Sequence, residues 1–479
     1  MNGNIESMPA KELVTDVAVI GTGTAGLAAW RAAKSAGKRV LLIESGAYGT
    51  TCARVGCMPS KLLIAPAEAA HSVDRFPGFG LKLEGNVVVD GRAVMARVKS
   101  ERDRFVGFVL RGVDNIPEAE RIRGHARFVD DTTLRVDERI TIKAARVVIA
   151  TGSSPSFPPA WKALGDRLVV NDDVFEWDDL PASVAVFGPG VIGLEIGQAL
   201  HRLGVRVKVF GRGGGLGPLS DPAVLELARR VFGEEFYLDT DAHAEVARDG
   251  DAVVVTYRAR DGSMQVERFT YLLAATGRTA NVRNLGLENT SVALDAKGVP
   301  LFDRTTMRCG NSSVFIAGDA NNDVPLLHEA ADEGRIAGEN AASYPVVRAG
   351  LRRAGLGVVF SDPQIAVIGG GYSAVRDTAH VTGFVSFEDQ GRSRVMLRNQ
   401  GMLHVYAASG SGRFLGAEML GPEAEHIAHL LAWALQMKLT VAQMLEMPFY
   451  HPVIEEGLRT ALRDAQTKLD AVAAARAAA

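Results

Sequence analysis

A chain of 479 residues is longer than one hydrophobic core supports, so its length predicts two to four domains. Hydrophobic residues make up 47% and charged residues 23%, as in ordinary globular proteins, and a formal charge of −3 with interspersed signs leaves no basic patch for nucleic acid. The longest apolar runs, such as 17–20 and 40–43, have strand length, so no membrane span is expected.

Residues 1–16, MNGNIESMPAKELVTD, lack a basic stretch followed by an apolar one, and no export signal is read there. Three cysteines are too few for a disulfide framework. Together these features predict a reducing cytoplasm, where a close cysteine pair is catalytic or metal-binding rather than structural.

Residues 16–43 read DVAVI-GTGTAG-LAAWRAAKSAG-KRVLLI: strand, Gly-rich turn, helix, strand. Gly21, Gly23 and Gly26 match G-x-G-x-x-G, and Glu44 closes the second strand. In a Rossmann unit the first glycine makes the turn, the second admits a pyrophosphate, the third packs helix on strand, and the acid takes the ribose hydroxyls.

Next come residues 50–63, TTCARVGCMPSKLL, with Cys52 and Cys57. Five helical residues rise about 7.5 Å, more than a disulfide tolerates, so bridged cysteines require a break in the helix. Gly56 would ease that break, and Pro59 removes a competing hydrogen bond. A helix N-terminus with Arg54 and Lys61 nearby favours thiolates. Zinc would need further ligands, and Cys309 is distant in sequence, so no metal is expected. The pair reads as a redox dithiol, with two structural cysteines as the alternative.

The first pattern recurs at 184–210, SVAVF-GPGVIG-LEIGQALHRLG-VRVKVF when read from Ser183, with Gly188, Gly190 and Gly193. Where Glu44 stands 23 residues after Gly21, the equivalent position after Gly188 is Gly211, followed by Arg212. A guanidinium in place of an acid favours the 2′-phosphate of NADP(H); a solvated surface charge is the alternative. Further strands end at Thr151-Gly152, Thr276-Gly277 and Gly318-Asp319. Asp319, at a strand's C-terminal end, suits a sugar-like chain or a helix N-cap. From about Gly357 the stretches GVVFSDPQIAVIGG, VMLRN, LHVYAA and FLGAEMLG alternate as strands, then helical runs cover 424–437 and 440–446, and an Ala-rich tail from Ala471 reads as a frayed helix end or disorder.

Over essentially its full length the chain resembles the two-domain flavoprotein disulfide reductases, which include dihydrolipoamide dehydrogenase, glutathione reductase and mercuric reductase. The resemblance is carried by GTGTAG with Glu44, C-x4-C-x-PSK at 52–61, ATG at 150–152, GPGVIGLE at 188–195, ATGRTAN at 275–281, FIAGDA at 315–320, VFSDPQIAVIG at 359–369 and HPVIEEG at 451–457. It implies an α/β fold with two Rossmann-like dinucleotide-binding domains and a C-terminal α+β dimerisation domain. The implied boundaries are FAD-binding 1–157 and 282–348, NAD(P)-binding 158–281, and interface 349–479. FAD belongs to the first turn and NAD(P)H to the second, with Gly152, Gly277 and Asp319 among the cofactor contacts. By resemblance Cys57 faces the flavin, Cys52 meets the substrate, Lys61 pairs with Glu195 near the flavin, and His451 with Glu456 is the acid–base pair of a homodimer.

Mercuric reductases carry an extra C-terminal cysteine pair and replace the His-Pro pair, whereas this chain keeps His451-Pro452 and has no cysteine after Cys309. PLLHEAADEG at 325–334 resembles dihydrolipoamide dehydrogenases. The expected activity is therefore dihydrolipoyl dehydrogenase-like, on a small-molecule or protein-bound disulfide. Arg54, where the family has Asn, and Gly211 leave two alternatives: an NADPH-dependent reductase of another disulfide or a quinone, and a redox-sensing flavoprotein.

Overall fold

The structure, a computed structural model, describes residues 11–478. Most of the reading at the N-terminus therefore lies outside the described residues. Two compact units are present, each assembled from three stretches of chain. One comprises the chain to Met58 with Ser100–Pro155 and Arg278–Arg352, the other Pro59–Lys99, Ser156–Gly277 and Arg353–Ala479.

The first unit is built on a seven-stranded sheet. Strands Arg121–Arg123, Val40–Glu44, Lys11–Ile20 and Ile140–Ile149 run parallel in that order. Val17, Val19 and Ile20 are all buried, which is why this run is continuously apolar rather than alternating. Beyond Ile140–Ile149 the sheet continues antiparallel through Thr133–Val136 and Ala126–Asp130, while Val314–Ile316 pairs parallel with 147–149. Helices Thr24–Ser35 and Leu327–Ser343 cross at bare backbone: a Cβ on Gly334 would lie 2.2 Å from the Ala25 carbonyl oxygen, and one on Gly338 2.3 Å from that of Ala29.

The second unit holds a five-stranded parallel sheet, in the order Tyr237–Asp239, Arg206–Phe210, Ser183–Phe187, Tyr271–Ala274, Leu168–Val169. It also holds a five-stranded antiparallel sheet, in the order Leu356–Val359, Gln364–Ile368, Phe414–Gly421, Met402–Ala408, His380–Ser386. Helices Ala424–Gln436 and Val441–Leu445 form where the pattern places them. The terminal helix Glu456–Ala478 crosses strand His380–Ser386 at Gly383, where a Cβ would sit 2.2 Å from the Ala461 carbonyl oxygen.

Two expectations are corrected. The stretch VMLRN is not a strand. A short helix, Gly391–Val395, precedes a left-handed Leu397 (φ 51°), because Gln390 caps Ser393 N at 2.7 Å and Ser393 is buried. The Ala-rich tail is neither frayed nor irregular over the described residues, since the terminal helix continues through it to Ala478. Among the described residues no helix is long and apolar enough to cross a membrane.

Candidate active site and nucleotide turns

The first Gly-rich turn sits at the C-terminal ends of paired strands, with Ile20 in register with Ile43 and Ile149. Gly21 adopts φ +106°, and a Cβ there would lie 2.3 Å from the Ala150 carbonyl oxygen. A Cβ on Gly26 would lie 2.0 Å from the Gly21 carbonyl oxygen. At Gly23 a Cβ would meet nothing within 4 Å, and the helix Thr24–Ser35 that it opens has no side-chain cap. Two glycines are thus sterically compulsory, while the third faces open space before uncapped N–H groups, a site for an anion.

Glu44 is bound into this turn. Its Oε2 accepts from Thr22 N (2.9 Å) and Thr22 Oγ1 (2.7 Å), and its Oε1 from Gly46 N (2.7 Å). Close by in sequence to Gly152 (φ +68°), the buried Thr151 Oγ1 has no hydrogen-bond partner. Asp319 does not cap a helix; its Oδ2 accepts from Ser153 Oγ at 2.7 Å, and Arg278 Nε donates to that hydroxyl at 2.8 Å. An orphaned hydroxyl, an open anion cradle and a held carboxylate fit a dinucleotide such as FAD.

The second turn repeats the first almost atom for atom. Gly188 has φ +106°, its Cβ would lie 2.3 Å from the Ala275 carbonyl oxygen, and a Cβ on Gly193 1.9 Å from the Gly188 carbonyl oxygen. Gly190 faces open space, as does Gly277 (φ +118°). The difference comes at the end of strand Arg206–Phe210. A Cβ on Gly211 would lie 2.6 Å from the Thr240 carbonyl oxygen and 2.7 Å from Pro189 Cγ, so no acidic side chain fits. Arg212 is exposed, and among the described residues its guanidinium has no ion pair or hydrogen bond.

The cysteines lie in separate helices. Thr51–Val55, capped by Thr50 Oγ1 on Ala53 N (3.2 Å), carries Cys52; it stops at a non-helical Gly56 (φ −126°, ψ −115°), and Cys57 opens Cys57–His71. The break therefore falls at the glycine. Cys52 is half-buried, Cys57 exposed and Cys309 buried, its thiol pushed up to about 12 by desolvation. Farther along, Pro66 leaves the Leu62 carbonyl without a helical donor, and Arg97 Nη1 supplies one at 3.3 Å.

In the second unit Lys61 Nζ lies 2.9 and 2.8 Å from the two oxygens of the buried Glu195, carried on helix Val191–Arg202. Ser60 Oγ (3.3 Å) and Phe360 N (3.0 Å) donate to the same carboxylate. His451 Nδ1 lies 3.1 and 3.0 Å from the two oxygens of Glu456, the first residue of the terminal helix. The His451 hydrogen bond holds the Glu456 carboxyl below its usual range despite some desolvation. With Nδ1 committed, Nε2 is left for chemistry on an imidazole that is 81% exposed. Ser60, Phe360, Ser153 and Arg278 had no assigned role in the sequence, although each lies inside or beside one of the motifs.

The model of the pyridine nucleotide-disulphide oxidoreductases matches residues 15–334, and the model of that family's dimerisation domain matches 356–462. The chain belongs to this family. It is an enzyme family that depends on FAD and takes electrons from NAD(P)H. A mercuric reductase of Acidithiobacillus ferrooxidans is 31% identical over 93% of this chain and 81% of its own length. A dihydrolipoyl dehydrogenase of Haloferax volcanii is 30% identical over 94% and 96%. The crystal structure of LpdA from Mycobacterium tuberculosis superposes with TM-score 0.79 at 26% identity, covering 94% of this chain and 99% of that one. The HOCl-induced flavoprotein disulfide reductase RclA of Escherichia coli, 21% identical with TM-score 0.78 over 94% and 99%, shares the fold.

Proposed function

We propose that this flavoprotein is a dihydrolipoyl dehydrogenase-like disulfide oxidoreductase that uses NADPH at least as well as NADH. Residues 21–26, Glu44, Thr151, Gly152 and Asp319 would hold FAD, and residues 188–193, Gly277 and Arg212 the nicotinamide nucleotide. Bound FAD would carry two electrons between that nucleotide and the Cys52–Cys57 disulfide.

In the reduced protein the Cys52 thiolate attacks one sulfur of the substrate disulfide, whose S–S bond breaks as the mixed disulfide forms. His451 of the partner subunit protonates the departing thiolate from Nε2. Cys57 then attacks Cys52, restoring the protein disulfide and releasing the second thiol. The two protons given up by the dithiol end on the two products.

The observation that carries this reading is the His451–Glu456 pair, which orients an acid–base imidazole that a passive redox reporter would not need. The NADPH component rests on Gly211, whose closed surroundings bar the ribose-binding acid, and on the exposed Arg212 beside it. The homodimer rests on the dimerisation domain and on the apolar side chains of Leu430, Trp433, Met437, Met447 and Tyr450, all exposed in the single chain. The test is a panel of lipoamide, glutathione disulfide and quinones, each with NADH and NADPH. Highest kcat/KM with lipoamide supports the reading; turnover confined to a quinone, or to none of them, sinks it.

A further inference from the structure

Glu418 is fully buried in strand Phe414–Gly421, the central strand of the antiparallel sheet. Among the described residues no Lys, Arg or His pairs with it. A buried carboxylate without a counter-ion must be satisfied by donors, and four are present. Its Oε2 accepts from Ser220 N and Asp221 N, each at 2.9 Å. Its Oε1 accepts from Tyr372 N at 2.8 Å and from Ser220 Oγ. A Cβ on Gly371 would lie 2.3 Å from Oε1, so the pocket around the carboxylate has no slack.

Ser220 and Asp221 belong to the segment that joins strand Arg206–Phe210 to helix Pro222–Glu235. The same segment begins with Gly211 and Arg212. At its middle, Gly217 N donates to the carbonyl of Pro189, the residue between Gly188 and Gly190 in the second Gly-rich turn, at 2.7 Å. Leu216 is fully buried beside it. At its far end Asp221 caps Ala223 N (2.9 Å) and Val224 N (3.3 Å), and its Oδ2 accepts from Tyr406 OH at 2.9 Å and contacts His404 Nδ1 at 2.7 Å. Strands Met402–Ala408 and Phe414–Gly421 therefore both grip the segment.

We infer that Glu418 is a positioning residue for the nicotinamide nucleotide. From a strand outside the parallel sheet, it fixes the segment that carries Arg212 and that is tied through Gly217 to the second Gly-rich turn, whose residues would hold the nucleotide. The inference rests on the proposed reading of the second turn. Glu418→Gln is the decisive change, because it places an NH2 donor among four donors and one end of the cluster must release.

The test uses the full-length, FAD-loaded dimer. NADP+ binding to the oxidised protein is measured by calorimetry for wild type, Glu418→Gln and Ser220→Ala. Glu418→Gln is expected to bind roughly 5–20-fold more weakly and Ser220→Ala roughly 2–4-fold, as for one or two lost positioning hydrogen bonds. The FAD-to-protein ratio and kcat at saturating NADPH should stay within about two-fold, since chemistry elsewhere is untouched. A folded, FAD-loaded Glu418→Gln whose NADP+ affinity is unchanged overturns the inference even if its melting temperature falls. If Glu418→Gln does not fold, unchanged affinity in Ser220→Ala overturns it instead. A wild-type protein that binds neither NADP+ nor NAD+ would overturn the reading of the turn itself.

Discussion

Lys61 Nζ lies 2.8 Å from Glu195 Oε2, joining the helix that begins at Cys57 to the helix that begins at the second Gly-rich turn. The Glu195 side chain is 5% exposed and that of Lys61 33%, and Lys61 also lies 4.3 Å from the centre of the Phe360 ring. Among the described residues, removing the cation leaves the carboxylate with Ser60 Oγ and Phe360 N as donors.

Lys61→Met is therefore expected to cost about 2–3 kcal/mol of stability, below the range for fully buried pairs because Lys61 is partly solvated. Urea unfolding of the apoprotein measures it. The double variant Lys61→Met/Glu195→Gln should recover at least half of the loss, and failure to recover would show that the charge pair is not the source.

The glycines of the first turn separate structure from ligand. Gly21→Ala drives a Cβ into the Ala150 carbonyl and is expected to destabilise the apoprotein by about 2 kcal/mol or more. Gly23→Ala meets open space at φ −72° and should leave apoprotein stability within about 0.5 kcal/mol while weakening FAD. Apoprotein melting and FAD titration distinguish the two; equal FAD affinity in Gly23→Ala and wild type would remove the cradle.

For the coenzyme, Arg212→Ala should weaken NADPH by about 1–3 kcal/mol and NADH by much less. Gly211→Asp, which would install the missing acid, pushes a side chain into Pro189 and Thr240. Its expected outcome is weaker binding of both coenzymes instead of a switch to NADH. KM values for the two coenzymes in each variant decide the matter.

His451 holds the Glu456 carboxyl below its ordinary value of 4.5. A depressed acid contributes stability that is present above its unfolded value and is lost as pH falls through the folded one. The difference in melting temperature between wild type and Glu456→Gln should hold steady above the ordinary carboxyl value of 4.5 and shrink as the pH falls below it. Scanning calorimetry on both sides of that value checks it, and a gap that widens on acidification would contradict the pairing.

If His451 serves the dithiol of the partner subunit, Cys57→Ser and His451→Ala homodimers are each nearly inactive in disulfide reduction. A purified heterodimer of the two has one complete site, and its expected activity is about half that of wild type. Activity no greater than in the parent homodimers would place His451 in its own chain's site.

Both Gly-rich turns were legible in the sequence because their constraint is local: backbone meets backbone within one strand–turn–helix unit. The break at Gly56 was legible for the same reason. VMLRN misled because strand-like composition was overridden by the Gln390 cap, which a period-two pattern cannot register. Asp319 was placed correctly at a strand end, but its partner Ser153 lies 166 residues away. Glu418 left no signal at all. It is the one polar residue in the otherwise apolar or small stretch FLGAEMLG, and its donors stand 46 to 198 residues distant.

The near-identity of the two turns has a consequence for how such an enzyme diversifies. Because their obligatory glycines are set by clashes with their own backbone, neither turn can encode which dinucleotide it receives. On the proposed reading, discrimination falls to the end of the following strand, to Glu44 in one copy and to Gly211 with Arg212 in the other. The two halves of a duplicated fold can thus drift apart in coenzyme preference through a few residues downstream, while the shared architecture stays frozen. In the second copy even that freedom is curtailed: the Thr240 carbonyl and the proline of its own turn both occupy the volume a side chain at 211 would need.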